Sequence, residues 1–156
     1  MNVYEKISKN PAYISFHDDT LEMLNITDKY IHLRVASSSF TYLLFEDDFK
    51  DIYKNHDENE LYTDIVFLSP TVSDDTYSPK SVMPNDYYSI YALEKNESGQ
   101  MSLCFEKESE PKDTYVLKFT YQECIAKYFI EASCEYYEAN KEIFIKPFDL
   151  NEFLNR

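Results

Sequence analysis

Three kinds of residue in this chain could do chemistry: histidines, cysteines and a large stock of carboxylates. His17, His32 and His56 stand far apart and form neither an HExxH helix nor a His/Cys set at zinc spacing. Cys104, Cys124 and Cys134 contain no CxxC pair, so they read as reduced core thiols, not as a metal or redox site. A cysteine could meet His32 in space to make a nucleophile, but no spacing signals it. There is no GxSxG elbow. The lone glycine, Gly99, cannot build a phosphate cradle. The dense acids Glu46-Asp47-Asp48 and Asp57-Glu58 lack the spaced ligands and glycine of a calcium loop. The expectation is therefore no catalytic residue, no metal and no cofactor.

The carboxylates remain as the chemical signal. The chain carries 29 Asp and Glu against 15 Lys and Arg, a net charge of −14 in 156 residues, with 15 Tyr and 11 Phe. Charge of this sign repels nucleic acid and anionic membranes and attracts basic proteins. The basic residues make no stripe interleaved with aromatics, which argues against direct nucleic-acid binding. The largest acidic cluster holds Glu46, Asp47, Asp48, Asp51, Asp57, Glu58, Glu60 and Asp64 against Lys50 and Lys54, a net of −6. A second comprises Glu106, Glu108, Glu110 and Asp113. A third, Glu131, Glu135, Glu138 and Glu142, falls within an arc of about 60° over roughly 16 Å if those residues are helical.

Tyrosines suit an interface, because they offer area and a hydroxyl at low entropy cost. Tyr53, Tyr62, Tyr77, Tyr87, Tyr88, Tyr91, Tyr136 and Tyr137 are candidates. The expected partner-binding surface is the Glu46–Asp64 cluster, with Asp74, Asp75, Tyr77 and Asp86 of the loop from Pro70 to Asp86. A loop of that length in a small domain is usually functional.

The elements that must carry these residues read as a single α+β domain over residues 1–156. It is a mainly antiparallel, meander-like sheet of five to seven strands, with one long packed helix near the C-terminus and short helices near the N-terminus. Asp18–Thr27 is expected as a short helix with Leu21 and Leu24 inward. Tyr30–Val35 alternates strictly, with Ile31, Leu33 and Val35 on one face and Tyr30, His32 and Arg34 on a polar one, so it reads as a half-buried strand. Phe40–Phe45 should be its hairpin partner, and Glu46–Asn55 a helical turn or two. Leu61–Leu68 reads as a central strand. Tyr88–Glu94 and Met101–Lys107 flank Asn96-Glu97-Ser98-Gly99, a hairpin whose glycine supplies the positive φ. Tyr115–Phe119 should add to that hairpin.

Thr120-Tyr121-Gln122-Glu123 has the form of a capping box and predicts the long helix, running to about Asn140 with Ile125, Phe129, Ala132 and Tyr136 on one face. Ile143–Ile145 reads as a last short strand, and Asp149 as the cap of a terminal helical turn through Phe153 and Leu154. No run reaches the roughly 18 apolar residues of a membrane helix, and the first residues lack a signal-peptide pattern, so a cytoplasmic location is expected.

In size, charge and lack of chemistry the profile resembles small acidic inhibitor proteins as a class, though over no aligned motif. That resemblance implies an immunity protein that occludes the active-site cleft of a basic, nuclease-type bacterial toxin. The alternatives are a phage-encoded DNA mimic acting on a restriction or CRISPR nuclease, and a small-ligand enzyme or sensor domain using His32 with a cysteine. Oligomeric state is not encoded in any pattern found.

Overall fold

The computed structural model describes residues 6–9, 15–16, 19–37, 60–75, 79–108, 113–132 and 134–155. The strands are β1 (Lys6–Lys9), β2 (Ser15–Phe16), β3 (Asp19–Ile26), β4 (Tyr30–Ser37), β5 (Glu60–Leu68) and β6 (Thr71–Asp74). They continue as β7 (Ser81–Val82), β8 (Tyr88–Lys95), β9 (Met101–Lys107), β10 (Thr114–Thr120) and β11 (Glu123–Ala132). A 3-10 turn, Pro84–Asp86, precedes β8. Three short helices follow the last strand: α1 (Cys134–Ala139), α2 (Lys141–Ile145) and α3 (Leu150–Leu154).

All pairings are antiparallel, and the order is β1-β11-β5-β4-β3-β8-β9-β10-β6, with β2 against β8 and β7 against β3. The two ends of this order are joined by chain. β5 and β6 are consecutive, separated only by Ser69 and Pro70, and β10 and β11 are separated only by Tyr121 and Gln122. The two bent strands run side by side. Thr120 pairs with Thr71, the Gln122 amide donates to the Leu68 carbonyl at 3.0 Å, and Glu123 pairs with Leu68. The sheet therefore curls into a closed, barrel-like wall whose corner is turned by a bend in each strand. Ser69 takes a positive φ of 52° at that bend, and its amide donates to the Lys29 carbonyl.

The interior follows from alternation. Ile31, Leu33 and Val35 of β4, Ile65 and Phe67 of β5, Leu103 and Phe105 of β9, Leu117 and Phe119 of β10, and Cys124 and Ala126 of β11 form one buried cluster. Phe67 and Phe119 meet edge-on at 4.8 Å across it, so the opposite walls touch.

The expected α+β fold with a long C-terminal helix is overturned. Glu123–Ala132 is a strand, and the three α-helices among the described residues are each five or six residues long. Cys124-Ile125-Ala126-Lys127 alternates inward and outward, and both faces are covered, so apolar residues fall on both sides of the strand and their i, i+4 pairs imitate a helix. The capping-box residues Thr120–Glu123 turn the corner instead. Asp18–Thr27 is not a helix either, since Asp19–Ile26 is β3. A β-bulge between Leu21 and Met23 brings both Leu21 and Leu24 inward, and the bulge creates the spacing of three that reads as helical. β4 therefore pairs with β3, through the turn at Thr27, whose hydroxyl accepts from the Tyr30 amide at 3.0 Å.

Ile143–Ile145 belongs to helix α2, not to a strand. The stretch from Pro70 to Asp86 contains β6, β7 and the 3-10 turn, and so is more ordered than a loop. The strands expected at Tyr30, Leu61, Tyr88, Met101 and Tyr115 are present, and Gly99 has a φ of 86° in the β8–β9 turn. Phe40–Phe45 and Glu46–Asn55 lie outside the described residues.

Candidate functional site

Among the described residues the one concentration of buried ionisable groups lies on the outer face of β4, β5 and β11. The register sets it in rows. Arg34 of β4 stands opposite Asp64 of β5, which stands opposite Lys127 of β11, and one row along lie His32, Val66 and Ile125. Cross-strand neighbours about 5 Å apart interact directly. Here a carboxylate is flanked by a cation on each adjoining strand.

Arg34 makes a bidentate pair with Asp64, Nε to Oδ1 at 2.8 Å and Nη2 to Oδ2 at 2.9 Å. His32 Nε2 lies 2.8 Å from the same Oδ1, and Asn25 Nδ2 lies 3.0 Å from His32 Nδ1. A neutral imidazole that donates from Nε2 to the carboxylate and accepts the Asn25 amide at Nδ1 satisfies every contact. Phe148 closes the site from above, stacked on the His32 ring at 3.6 Å and 7°. Asp64 and His32 are fully buried, and Arg34 is nearly so.

Burial sets the protonation states. It is the largest influence on His32 and lowers its pKa; Asp64 opposes that shift and Arg34 adds to it. Burial is the largest single influence on Asp64 and would raise its pKa, but the charges and hydrogen bonds of Arg34 and His32 together outweigh it and hold the carboxyl well below the usual carboxylate range. Because His32 is neutral near pH 7, Arg34 is the charge that keeps Asp64 ionised.

The cations also reach upward to the C-terminal segment, which straps this face. Arg34 Nη1 donates to the Phe144 carbonyl at 3.1 Å, and Lys127 Nζ donates to the Phe153 carbonyl. Both carbonyls lie in the last turn of a short helix, α2 or α3, where carbonyls have no helical partner. Neither helix has a basic residue of its own in that turn. The sheet thus supplies the C-terminal cations, which also suit the negative end of each helix dipole. Apolar contacts complete the strap. Phe144 packs on Tyr62 and Tyr137 at 4.8 Å, and Phe153 joins Val66 and Ile125 in a second buried cluster. The expected cap at Asp149 is present, with its carboxylate accepting the Glu152 amide at 3.0 Å.

This arrangement has the chemistry of an anchor. The His32–Asp64 pair has the orientation of a base and its orienting carboxylate, but Phe148 and Asn25 occupy both sides of the ring. Cys124 cannot act as its nucleophile. It lies in the inner core, on the opposite face of the sheet from His32, and burial pushes its thiol up to about 12. Among the described residues no group of three His, Cys, Asp or Glu is placed to hold a metal ion. Sequence reasoning singled out His32 but missed Arg34 and Lys127. Their positions opposite Asp64 require the register, which no local pattern specifies.

The expected partner-binding residues are dispersed. Glu46, Asp47, Asp48, Asp51, Asp57, Glu58 and Tyr77 lie outside the described residues. Glu60 opens β5 opposite Ala132. Asp64, grouped with them by sequence, points into the buried anchor and is fully shielded from solvent. Asp74 ends β6, and exposed Asp75 pairs with Lys80 at 3.1 Å. Asp86 lies in the 3-10 turn, where its carboxylate accepts the Met83 amide at 2.8 Å. Of the tyrosines, Tyr62 is buried and Tyr88 packs inward against Phe105 and Tyr115, whereas Tyr87 and Tyr91 are each 61% exposed. The carboxylate row expected along one helix is divided: Glu131 lies in β11, Glu135 and Glu138 in α1, and Glu142 in α2.

Among the described residues no helix is long and apolar enough to cross a membrane. Comparison with protein-family models, with curated proteins and with solved structures finds no match.

Proposed function

We propose that this protein is an acidic inhibitor acting in the cytoplasm. In this reading it is an immunity protein that neutralises a basic, nuclease-type toxin by covering its active-site cleft. The observation that carries the reading is where the charge lies. Among the described residues the buried charges are Asp19 and Asp64 against Arg34 and Lys127, which cancel. That part of the interior therefore absorbs none of the net −14. Solubility needs less than this, and self-repulsion opposes folding. A basic partner would relieve that repulsion. Among the described residues the one constellation with catalytic residue types is filled by Phe148 and Asn25, which favours a binding role over an enzymatic one. Carboxylates would pair with the Lys and Arg that hold phosphates, and tyrosines would fill the cleft. The thiols of Cys104 and Cys124 suit a reducing compartment.

The test is affinity capture from the native host with washes at low and high salt, followed by a nuclease assay on the captured protein. One stoichiometric basic partner is expected, released more readily by salt and inhibited by the added protein. The combined reversal Asp47→Lys, Asp48→Lys, Asp51→Lys and Asp57→Lys should abolish capture. Unchanged binding after that reversal would eliminate the electrostatic mechanism. The alternative, a DNA mimic, needs carboxylates at phosphate-like spacing over a long surface; the row expected along one helix, Glu131, Glu135, Glu138 and Glu142, is divided among β11, α1 and α2.

A further inference from the structure

The outer face of β8 and β9 differs from the strapped face in having two large aromatic side chains in solvent. Tyr87 precedes β8 and Tyr91 lies within it, each 61% exposed. Tyr87 takes a left-handed φ of 57°, and Tyr91 is the extra residue of the β-bulge between Ile90 and Ala92. Between them Ser89 stands opposite Glu106 of β9, and the Ser89 hydroxyl donates to Glu108 Oε1 at 2.6 Å. The Glu108 amide in turn donates to the Tyr87 carbonyl at 2.9 Å. Along the chain the two phenol rings therefore stand on either side of Ser89, whose neighbours on the adjoining strand and just beyond it are the carboxylates of Glu106 and Glu108. Lys107 stands opposite Tyr88, whose ring turns inward, so the intervening cation follows the other side of the pleat. At the Tyr87 end the acidity continues, since Glu22 and Glu138 both act electrostatically on Tyr137, as does Tyr87.

We infer that this face, centred on Tyr87, Tyr91, Glu106 and Glu108, is a docking surface for an arginine-bearing segment of a basic protein. The inference rests on the basic-partner reading and adds a second contact to the one expected at the Glu46–Asp64 cluster. Charge complementarity selects the occupant, and the alternation of ring and carboxylate selects arginine. A guanidinium bonds a carboxylate in bidentate fashion and stacks flat on an aromatic ring, whereas an ammonium offers only a point charge. Rings held on strands need little ordering on binding, so most of their contact contributes to affinity.

The experiment measures binding of oligo-arginine and oligo-lysine peptides of equal length to the full chain, at low and high salt. Tyr87→Asn with Tyr91→Ala removes both rings, asparagine being suited to the left-handed φ of 57° at position 87. Glu106→Gln with Glu108→Gln removes the carboxylates. Glu94→Gln with Glu97→Gln, toward the hairpin end, removes equal charge elsewhere. Melting curves confirm that each variant folds. Oligo-arginine should bind tighter than oligo-lysine, and each site pair should weaken it by about tenfold, against less than about twofold for the hairpin pair. Equal weakening by the site and hairpin pairs, or no preference for arginine, would overturn the docking face and leave general attraction to basic partners standing. Absence of binding to either peptide at low salt would remove both.

Discussion

Strands β4, β5 and β11 have two faces, both hidden from water and built by opposite means. Inward stand Leu33, Ile65, Phe67 and Cys124, with no charge among them. Outward, one residue away along each strand, stand His32, Arg34, Asp64 and Lys127, equally buried. The inner face is held by apolar area, which is non-directional and tolerant of exchange. The outer face is held by hydrogen bonds that work only in one register and one strap position. The apolar face gives stability, while the polar face specifies where the C-terminal segment lies. A strap docked only by Phe144, Phe148 and Phe153 could slide; one whose carbonyls are fixed to Arg34 and Lys127 cannot.

The sharpest way to break this contrast is Asp64→Ala. It strands Arg34 as a buried charge and should cost about 3–5 kcal/mol in chemical denaturation. Phe67→Ala on the inner face should cost a similar amount, about 3–5 kcal/mol. The two should separate on rescue: adding Arg34→Met should recover much of the Asp64→Ala loss and none of the Phe67→Ala loss. Failure of Arg34→Met to recover the Asp64→Ala loss would mean that the outer face is ordinary core.

Lys127→Met should have a smaller effect, about 1–3 kcal/mol, because it keeps the stem and leaves the Phe153 carbonyl without its charged donor. Its signature is local. Amide exchange should quicken in α3 while β9 and β10 stay protected, and uniform quickening would contradict an anchoring role.

The smallest effect near neutrality is the pH dependence. His32 has a folded pKa below 6.5, so the folded state binds fewer protons than the unfolded chain in the interval beneath that value. Its contribution is therefore complete above pH 6.5 and is lost as pH falls toward and through the lowered folded pKa, at no more than about 1.4 kcal/mol per pH unit. Asp64, also lowered, keeps its contribution above pH 3.8 and loses it at greater acidity. His32→Gln should remove the upper limb of a stability–pH curve and leave the lower limb, while an unchanged upper limb would mean that other groups set it.

Legibility in the sequence followed the range of the interactions. β4 and β9 were readable because their alternation is unbroken, and the β8–β9 turn because one glycine marks it. β3 and β11 were misread where bulges interrupt the count, between Leu21 and Met23 and between Tyr128 and Ile130. An inserted residue turns a period of two into a spacing of three, which a helix shares. The polar face of β4 was read as facing solvent, because nothing local in Tyr30–Val35 signals a cover supplied by residues 134–155. Arg34, Asp64 and Lys127 come from three strands and meet only once the register is set, so their partnership had no sequence spacing to show it.

The pairing of β1 with β11 joins Lys6 to Tyr128, across more than a hundred residues of chain. During synthesis the first strand emerges long before its neighbour exists. Contacts of such sequence separation slow folding, because a large loop must close before they form. The nascent chain must therefore carry an unpaired strand edge while more than a hundred further residues are made. In that interval the surplus of carboxylates has a second use: like-charged nascent chains repel one another, which guards the waiting edge against pairing with a neighbour.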